Sequence, residues 1–108
     1  MKGSRLGEFE ELTLLAVRAL KVATYAVPVQ AFMERSAGRA VTMGAAYAAL
    51  DRLEAKGLVR SVLGDPTPER GGKRKRLYEI TPAGMRTLRD LRQVRDRIWT
   101  TIEEGGRS

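Results

Sequence analysis

The chain has neither cysteine nor histidine among its 108 residues. Without cysteine it can form no disulfide framework and no thiolate metal site. Without histidine it lacks the commonest general base, the commonest metal ligand and every Ser–His or Cys–His nucleophile. The sequence therefore predicts that the protein is not an enzyme, and it indicates no cofactor and no metal site.

Long hydrophobic runs are missing as well, since no apolar segment approaches the length of a membrane span. Lys2 and Arg5 resemble the start of a signal peptide. Glu8, Glu10 and Glu11 interrupt the apolar region that would have to follow them. We therefore expect a soluble, cytoplasmic protein.

Acidic residues are outnumbered by basic ones, 13 Asp and Glu against 20 Lys and Arg, which gives a formal charge of +7. A basic excess of this size favours nucleic acid or an anionic membrane as partner, although it does not specify a fold. The hydrophobic fraction of 43% argues against wholesale disorder. The length suits one domain with a modest core.

Apolar spacing predicts two helices in the first third of the chain. Apolar residues recur every three or four positions over about residues 7–20, and three acids occupy the first turn, where the helix dipole favours them. The predicted buried stripe consists of Phe9, Leu12, Leu15 or Ala16, Ala19 and Leu20. A second helix is predicted to begin within residues 24–26 and to end at Ser36-Ala37-Gly38. We expect Arg39-Ala40-Val41 to form a short edge strand.

The segment "TMGAAYAALDRLEAKGLV" predicts a third helix, with Thr42 as N-cap and Gly57 at its end. One face is apolar and suited to the core: Ala46, Ala49, Leu50 and Leu53. The opposite side consists of Gly44, Ala45, Ala48, Asp51, Arg52 and Ala55, with Tyr47 on the flank. The N-terminal half of this side is unusually small and uncharged. Such a side suits a helix that lies close against another surface.

Two β-prone runs, residues 59–63 and 76–80, enclose a loop that contains "ERGGKRKR". A phosphate-binding loop would need Gly, four residues and Gly-Lys-Ser/Thr, but Arg74 follows Gly72-Lys73 and Thr67 stands where the first glycine should be. A general basic patch or localisation signal remains an alternative for the cations alone. The flanking strands favour a long hairpin with a basic tip.

The last helix is predicted to start at Thr81-Pro82, with threonine as N-cap and proline in the first turn. The element order is then helix, helix, short strand, helix, strand, loop, strand, long helix. This order predicts a mainly α (α+β) fold, a winged helix-turn-helix with a two-stranded wing and a long C-terminal helix. We expect residues 1–81 to form the DNA-binding domain and residues 82–108 a C-terminal dimerisation helix, together one compact unit.

Within such a fold the third helix would enter the major groove and the basic hairpin would contact the backbone. Tyr47 either packs half-buried at the edge of the core or hydrogen-bonds a phosphate or base edge. Arg52 either pairs with Asp51 or Glu54 on its own helix or contacts DNA. Thr42 is able to cap the helix and contact a phosphate at once.

Three stretches of the chain resemble the PadR-like transcriptional regulators. They are "LTLLAV" in the first helix, "TMGAAYAALDRLEAKGLV" from residue 42 to 59, and "GKRKRLYEITPAG" from residue 72 to 84. The resemblance covers about residues 6–99. It implies a DNA-binding repressor that acts as a homodimer joined mainly through the C-terminal helix, in a short form with one such helix. It also implies the DNA-binding residues Thr42, Gly44, Tyr47, Ala48, Arg52, Lys73, Arg74, Lys75 and Arg76.

The last helix carries an apolar stripe that has to be buried against its own domain or against a partner. A second copy is favoured, because a core this small gains from dimerisation. The predicted dimerisation residues are Leu88, Leu91, Ile98, Trp99 and Ile102. Trp99, the one tryptophan, either packs in the dimer interface or borders a small-molecule effector site. The second alternative is what the resemblance implies, since some short PadR-like proteins have a C-terminal tryptophan at such a site.

The sequence thus predicts a sequence-specific regulator that binds double-stranded DNA at a pseudo-palindromic operator. The main alternative is a non-specific nucleic-acid-binding or architectural protein, for which the same charge would suffice. A protein-interaction module that uses the small side of the third helix is a further alternative.

Overall fold

The computed structural model describes residues 6–64 and 75–105, and it confirms the predicted winged helix-turn-helix. Within these residues there are four helices and one antiparallel two-stranded sheet. The elements are α1 (Glu8–Ala19), α2 (Ala26–Ala37), α3 (Met43–Ala55), β1 (Val59–Leu63), β2 (Arg76–Ile80) and α4 (Pro82–Gly105).

The buried face of α1 matches the predicted stripe in part, since Ala16 is buried and Phe9, Leu12 and Leu20 pack against the core, whereas Ala19 is exposed. Leu15 is 44% exposed, whereas Leu14 and Val17 are buried in the core. Two polar residues, Glu10 and Thr13, are buried on the same face. The prediction missed Thr13 because it followed apolar residues only, and Thr13 is accommodated by donating a hydrogen bond from Oγ1 to the Phe9 carbonyl oxygen at 2.8 Å.

Both ends of α2 follow local rules. Pro28 lies in the first turn, where backbone N–H groups have no partner within the helix. Gly38 ends the helix in the left-handed conformation, with φ of 69°. The predicted helix boundaries are therefore confirmed.

The predicted edge strand at residues 39–41 is wrong. The Val41 N–H donates to Glu34 Oε2 at 2.9 Å, and the Val41 carbonyl accepts from Gln30 Nε2. Side chains of α2 therefore satisfy the backbone that a strand would have used. The additional β-contact comes instead from Thr24, which pairs with Tyr78 of β2 through N–H···O bonds of 2.9 and 2.7 Å.

Helix α3 and the hairpin agree with the sequence. Thr42 caps α3 by accepting a hydrogen bond from the Ala45 N–H at 3.0 Å, and the predicted core face is fully buried. Gly57 turns the chain with φ of 76°. The strands then pair with Val59 opposite Ile80 and Leu63 opposite Arg76.

Helix α4 begins where predicted, since Thr81 Oγ1 accepts from the Gly84 N–H at 3.0 Å. Its first two turns are packed on the domain, and Leu88 is 8% exposed within the core cluster. Residues 92–105 are all exposed, so the helix then projects away from the domain. None of the helices in the described ranges is long and apolar enough to cross a membrane.

Candidate nucleic-acid interface

The exposed side of α3 carries mostly small side chains. Gly44, Ala48, Asp51 and Ala55 are all exposed and lie along one side of the helix. Three of these four residues have no side chain beyond Cβ. The backbone of α3 can therefore approach another surface more closely than a helix that presents lysine or glutamate.

Tyr47 stands at the edge of this small side, beside a cleft of about 680 Å³. Tyr47 is 47% exposed, and this value does not distinguish packing at the edge of the core from a hydrogen bond to DNA. The cleft separates α3 from the wing and from the start of α2. Its lining residues are Tyr25, Ala26, Val27, Pro28, Tyr47, Leu63, Lys75 and Arg76.

Two features place positive charge beside the cleft. Lys75 Nζ lies 4.9 Å from the centre of the Tyr25 ring, a cation–π distance that holds the ammonium beside the cleft. The first turn of α2 opens onto the same space, and no side chain caps it. The positive end of the α2 dipole thus adds to the charge of the lysine.

The base of the wing is connected to α3 by a chain of hydrogen bonds. Arg76 Nη1 donates to Ser61 Oγ at 2.9 Å, and Ser61 Oγ donates to Glu54 Oε2 at 2.8 Å. Across the strands, Arg60 also pairs with Glu79, with Nε 2.7 Å from Oε2. These hydrogen bonds therefore hold the base of the wing at a defined position relative to α3.

Arg52 is paired with a residue that the sequence did not indicate. Its Nε donates to Glu10 Oε2 of α1 at 2.6 Å, and Lys56 Nζ donates to Glu10 Oε1 at 2.7 Å. The structural partners predicted for Arg52, Asp51 and Glu54, are thus not the ones used. The hydrogen bond from Lys56, with a smaller contribution from Arg52, lowers the pKa of Glu10 against the opposing effect of burial.

Comparison with known proteins identifies the family to which the chain belongs. The model of the Transcriptional regulator PadR-like family matches residues 20–90. The chain belongs to the PadR-like family. It is therefore a DNA-binding transcriptional regulator and not an enzyme. None of the curated proteins matches it.

Several PadR-like structures share the fold. A PadR family regulator of Clostridium difficile is 23% identical, with a TM-score of 0.70, and the match covers 91% of this chain and 97% of that one. A PadR-like transcription factor of Bacteroides fragilis is 22% identical, with a TM-score of 0.74 and coverage of 88% and 86%. A PadR-like regulator of Bacillus cereus is 19% identical, with a TM-score of 0.69 and coverage of 92% and 91%. Identities this low support the fold alone.

The structure brings together only part of the predicted PadR-like DNA-binding set. Thr42 is the N-cap of α3, and Gly44, Tyr47 and Ala48 lie in its N-terminal half. Lys75 and Arg76 lie across the cleft. Lys73 and Arg74 are outside the described residues. Arg52 lies on the flank of α3 that faces α1.

The predicted dimerisation residues separate into two groups. Leu88 is buried in the core of its own chain, and Leu91 is half-buried. Ile98, Trp99 and Ile102 are 56%, 60% and 53% exposed, respectively, on the projecting part of α4. Leu88 is therefore used within the PadR-like domain, and the exposed apolar surface of α4 lies farther along the helix.

Two residues of the site were missed from the sequence. Tyr25 precedes α2 and belongs to no apolar pattern, so only its position against Lys75 identifies it. Glu10 lies three and four residues before the buried Thr13 and Leu14. Its spacing from these two residues places Glu10 on the same face of α1, and a carboxylate on a buried face needs a partner. That spacing could have identified Glu10 from the sequence.

Proposed function

We propose that this PadR-like protein is a sequence-specific repressor that binds a pseudo-palindromic operator as a homodimer. Helix α3 enters the major groove, and the wing contacts the adjacent backbone. The observation that carries the proposal is the small exposed side of α3, which continues into a cleft bordered by Tyr47, Lys75 and Arg76.

The dimensions of α3 suit the major groove. A helix with its side chains is about 10–12 Å across, and the groove is about 12 Å wide. The small side chains of Gly44, Ala48 and Ala55 narrow α3 on its exposed side. Thr42 and Tyr47 supply hydroxyl groups at the start of this side, where a recognition helix contacts base edges or phosphates.

The cations of the wing suit phosphate binding. Lys75 and Arg76 lie on the far side of the cleft from Tyr47, so a backbone strand that follows the cleft would be contacted from both sides. Lys73 and Arg74 precede them in the sequence and would extend the same charge. Each phosphate that they neutralise would release counterions and make binding dependent on salt.

The dimer is proposed to form through the projecting part of α4. Ile98, Trp99 and Ile102 expose apolar surface there, and Leu91 continues it toward the domain. A second copy related by a two-fold axis would bury this surface and place two α3 helices about 34 Å apart, which is one turn of DNA. Trp99 is then a packing residue of the interface.

The test is binding to a fragment of the protein's own upstream region and to a scrambled fragment, across a salt series. We expect strong preference for the native fragment. Tyr47→Phe and Lys75→Gln should weaken binding, and Lys75→Gln should reduce the slope of log affinity against log salt by about 0.9. The matched control is Arg92→Gln, which removes one cation from an exposed position on α4. It should leave the preference unchanged.

Equal affinity for both fragments at every salt concentration would contradict the proposal and favour a non-specific DNA-binding protein. The direction of regulation is tested by transcription in vitro from the same upstream region. Added protein should lower the amount of transcript, and an increase would identify an activator.

A further inference from the structure

Three acids in the first turn of α1 contact three different parts of the fold. Glu8 Oε1 lies 3.6 Å from Arg39 Nη2, in the turn before α3. Glu10 binds Arg52 of α3 and Lys56, the C-cap of that helix. The third acid, Glu11, binds Arg95 of α4. Helix α1 is therefore joined by adjacent carboxylates to the proposed recognition helix and to the proposed dimerisation helix.

Two of these carboxylates are held in the structure rather than lying loose on its surface. The side chains of Glu10 and Glu11 are 11% and 15% exposed, whereas that of Glu8 is 75% exposed. Exposed ion pairs contribute little to stability, but pairs with a largely buried member are screened less by water and salt. Glu10 and Glu11 are therefore suited to holding their partner helices at defined positions.

Arg95 occupies a particular position along α4. It follows Leu91, which is half-buried, and precedes Ile98, which is more than half exposed. Every residue of α4 from 92 to 105 is exposed, including Arg95 itself, whose side chain is 57% exposed. The contact with Glu11 thus lies where α4 leaves its own domain, immediately before the apolar surface proposed for the dimer.

We propose that Glu10 and Glu11 are positioning residues that fix the orientation of α3 relative to α4, and so fix the operator spacing that the dimer accepts. The inference rests on the proposed function, because spacing has meaning only for a dimer that binds two half-sites. Glu10 holds α3 by its flank, away from the small side. Glu11 holds α4 at the point where any tilt of the helix would be transmitted to the partner's α3.

The dimensions of DNA and of an α-helix relate the tilt of α4 to the spacing of half-sites. One added base pair moves a half-site by about 3.4 Å along the DNA and rotates it by about a tenth of a turn. A helix rises about 1.5 Å per residue, so Ile102 lies about 10 Å beyond Arg95 along α4. A change of tilt of about 20° at Arg95 would therefore displace Ile102 by about the rise of one base pair, and the partner subunit would move with it.

The test compares affinity for the native operator with affinity for operators in which one base pair is inserted or deleted at the centre. Glu11→Gln and Arg95→Gln should each reduce the preference for native spacing about threefold or more, the effect of losing one partly buried ion pair. Arg95→Lys should retain most of the preference because it keeps the cation. The double variant should lose no more than either single variant, since both remove the same contact.

Arg92→Gln is the matched control, because it removes the same charge from the same helix but breaks only a pair with Asp96 within α4. It should leave the spacing preference as it is in the wild type. Glu10→Gln should reduce that preference too, by loosening α3, at a temperature where melting curves show the variant folded.

Unchanged spacing preference in Glu11→Gln and Arg95→Gln, in a wild type that does discriminate spacing, would overturn the inference alone. A wild type that binds native and scrambled DNA equally would instead overturn the proposed function. A loss of preference in Arg92→Gln equal to that in Arg95→Gln would also overturn the inference, because net charge would then explain the effect.

Discussion

Glu10 is a largely buried carboxylate that accepts hydrogen bonds from Arg52 and Lys56, one on each oxygen. Burial of a carboxylate is costly unless cations and hydrogen bonds compensate for it. Removing the charge takes away the carboxylate that both cations share at the junction of α1 and α3. The effect should therefore be larger than that of an exposed ion pair.

Glu10→Gln should lower the free energy of unfolding by about 1–3 kcal/mol at pH 7. Because the pKa of Glu10 is lowered from 4.5 in the folded state, its contribution is complete above pH 4.5 and is lost as the pH falls through the lower, folded-state pKa. Urea unfolding of both proteins from pH 7 to pH 3 measures this. The difference between them should shrink in acid, and a constant difference would contradict a role for the charge.

Gly84 lies in the first turn of α4 at a very close approach to the hairpin. A Cβ atom there would meet the Leu58 carbonyl oxygen at 2.3 Å and Ile80 Cγ1 at 2.6 Å. Gly84→Ala should therefore force α4 away from the domain and destabilise the fold by about 1–3 kcal/mol or more, as overpacking does. Thermal melting measures the loss.

Gly105→Ala is the control for Gly84→Ala, because a Cβ at residue 105 meets no atom within 4 Å. It should leave the melting temperature unchanged or slightly raised. If Gly84→Ala has the same melting temperature as Gly105→Ala, the contact between α4 and the hairpin adjusts to the added methyl group without loss of stability.

At the scale of the element, α3 combines a fully buried face with an exposed side of minimal size. Gly44 lies in its first turn at an ordinary helical position, and a Cβ there would meet nothing within 4 Å. Glycine inside a helix lowers stability by about 0.5–1 kcal/mol relative to alanine. Its presence is consistent with a requirement for close approach rather than for helix stability.

Gly44→Ala should therefore raise the unfolding free energy by about 0.5–1 kcal/mol while lowering affinity for the native upstream fragment. Melting curves and DNA titration at one salt concentration measure the two effects. Gly105→Ala is the control, because it makes the same substitution in α4, away from the exposed side of α3, and it should leave DNA affinity unchanged. Improved stability together with unchanged DNA affinity would indicate that the DNA does not approach α3 at Gly44.

The wing is a second element, and its base is positioned by contacts with other parts of the fold. Its base is connected to α3 through Glu54, Ser61 and Arg76, and Lys75 is placed against Tyr25. The hairpin is therefore positioned by contacts with two helices as well as by its own strand pairing. The positive charge of Lys75 therefore lies on one side of the cleft.

At the scale of the whole molecule, the shape is extended, with principal dimensions of 65 × 30 × 21 Å. Helix α4 has 24 residues, and its projecting part bears the exposed Ile98, Trp99 and Ile102. Exposed apolar groups gathered on one projecting helix are typical of a surface that another subunit covers.

Ile98→Asp should convert the dimer to a monomer, because it places a charge in the apolar surface of α4. Sedimentation over a range of concentrations measures the change, and fluorescence of Trp99 should shift toward the red as the indole becomes hydrated. Val62→Asp is the matched control, since Val62 is 59% exposed on the wing, against 56% for Ile98. A wild type that sediments as a monomer at all concentrations would contradict the prediction.

Local features of the sequence predicted much of this fold. The Thr42 and Thr81 caps and the left-handed Gly38 depend on neighbours within a few residues, so the local sequence determines them. The small side of α3 was likewise visible as a pattern of residue size at helical spacing.

The tertiary structure decided what depends on distant parts of the chain. Arg52 and Lys56 find Glu10 across 42 and 46 residues, and Thr24 rather than residues 39–41 pairs with Tyr78. The burial of Leu88 within its own domain is of the same kind. Periodicity shows which residues share a face, but the partner of that face is set by how the helices pack, and packing joins segments with no local relation in sequence.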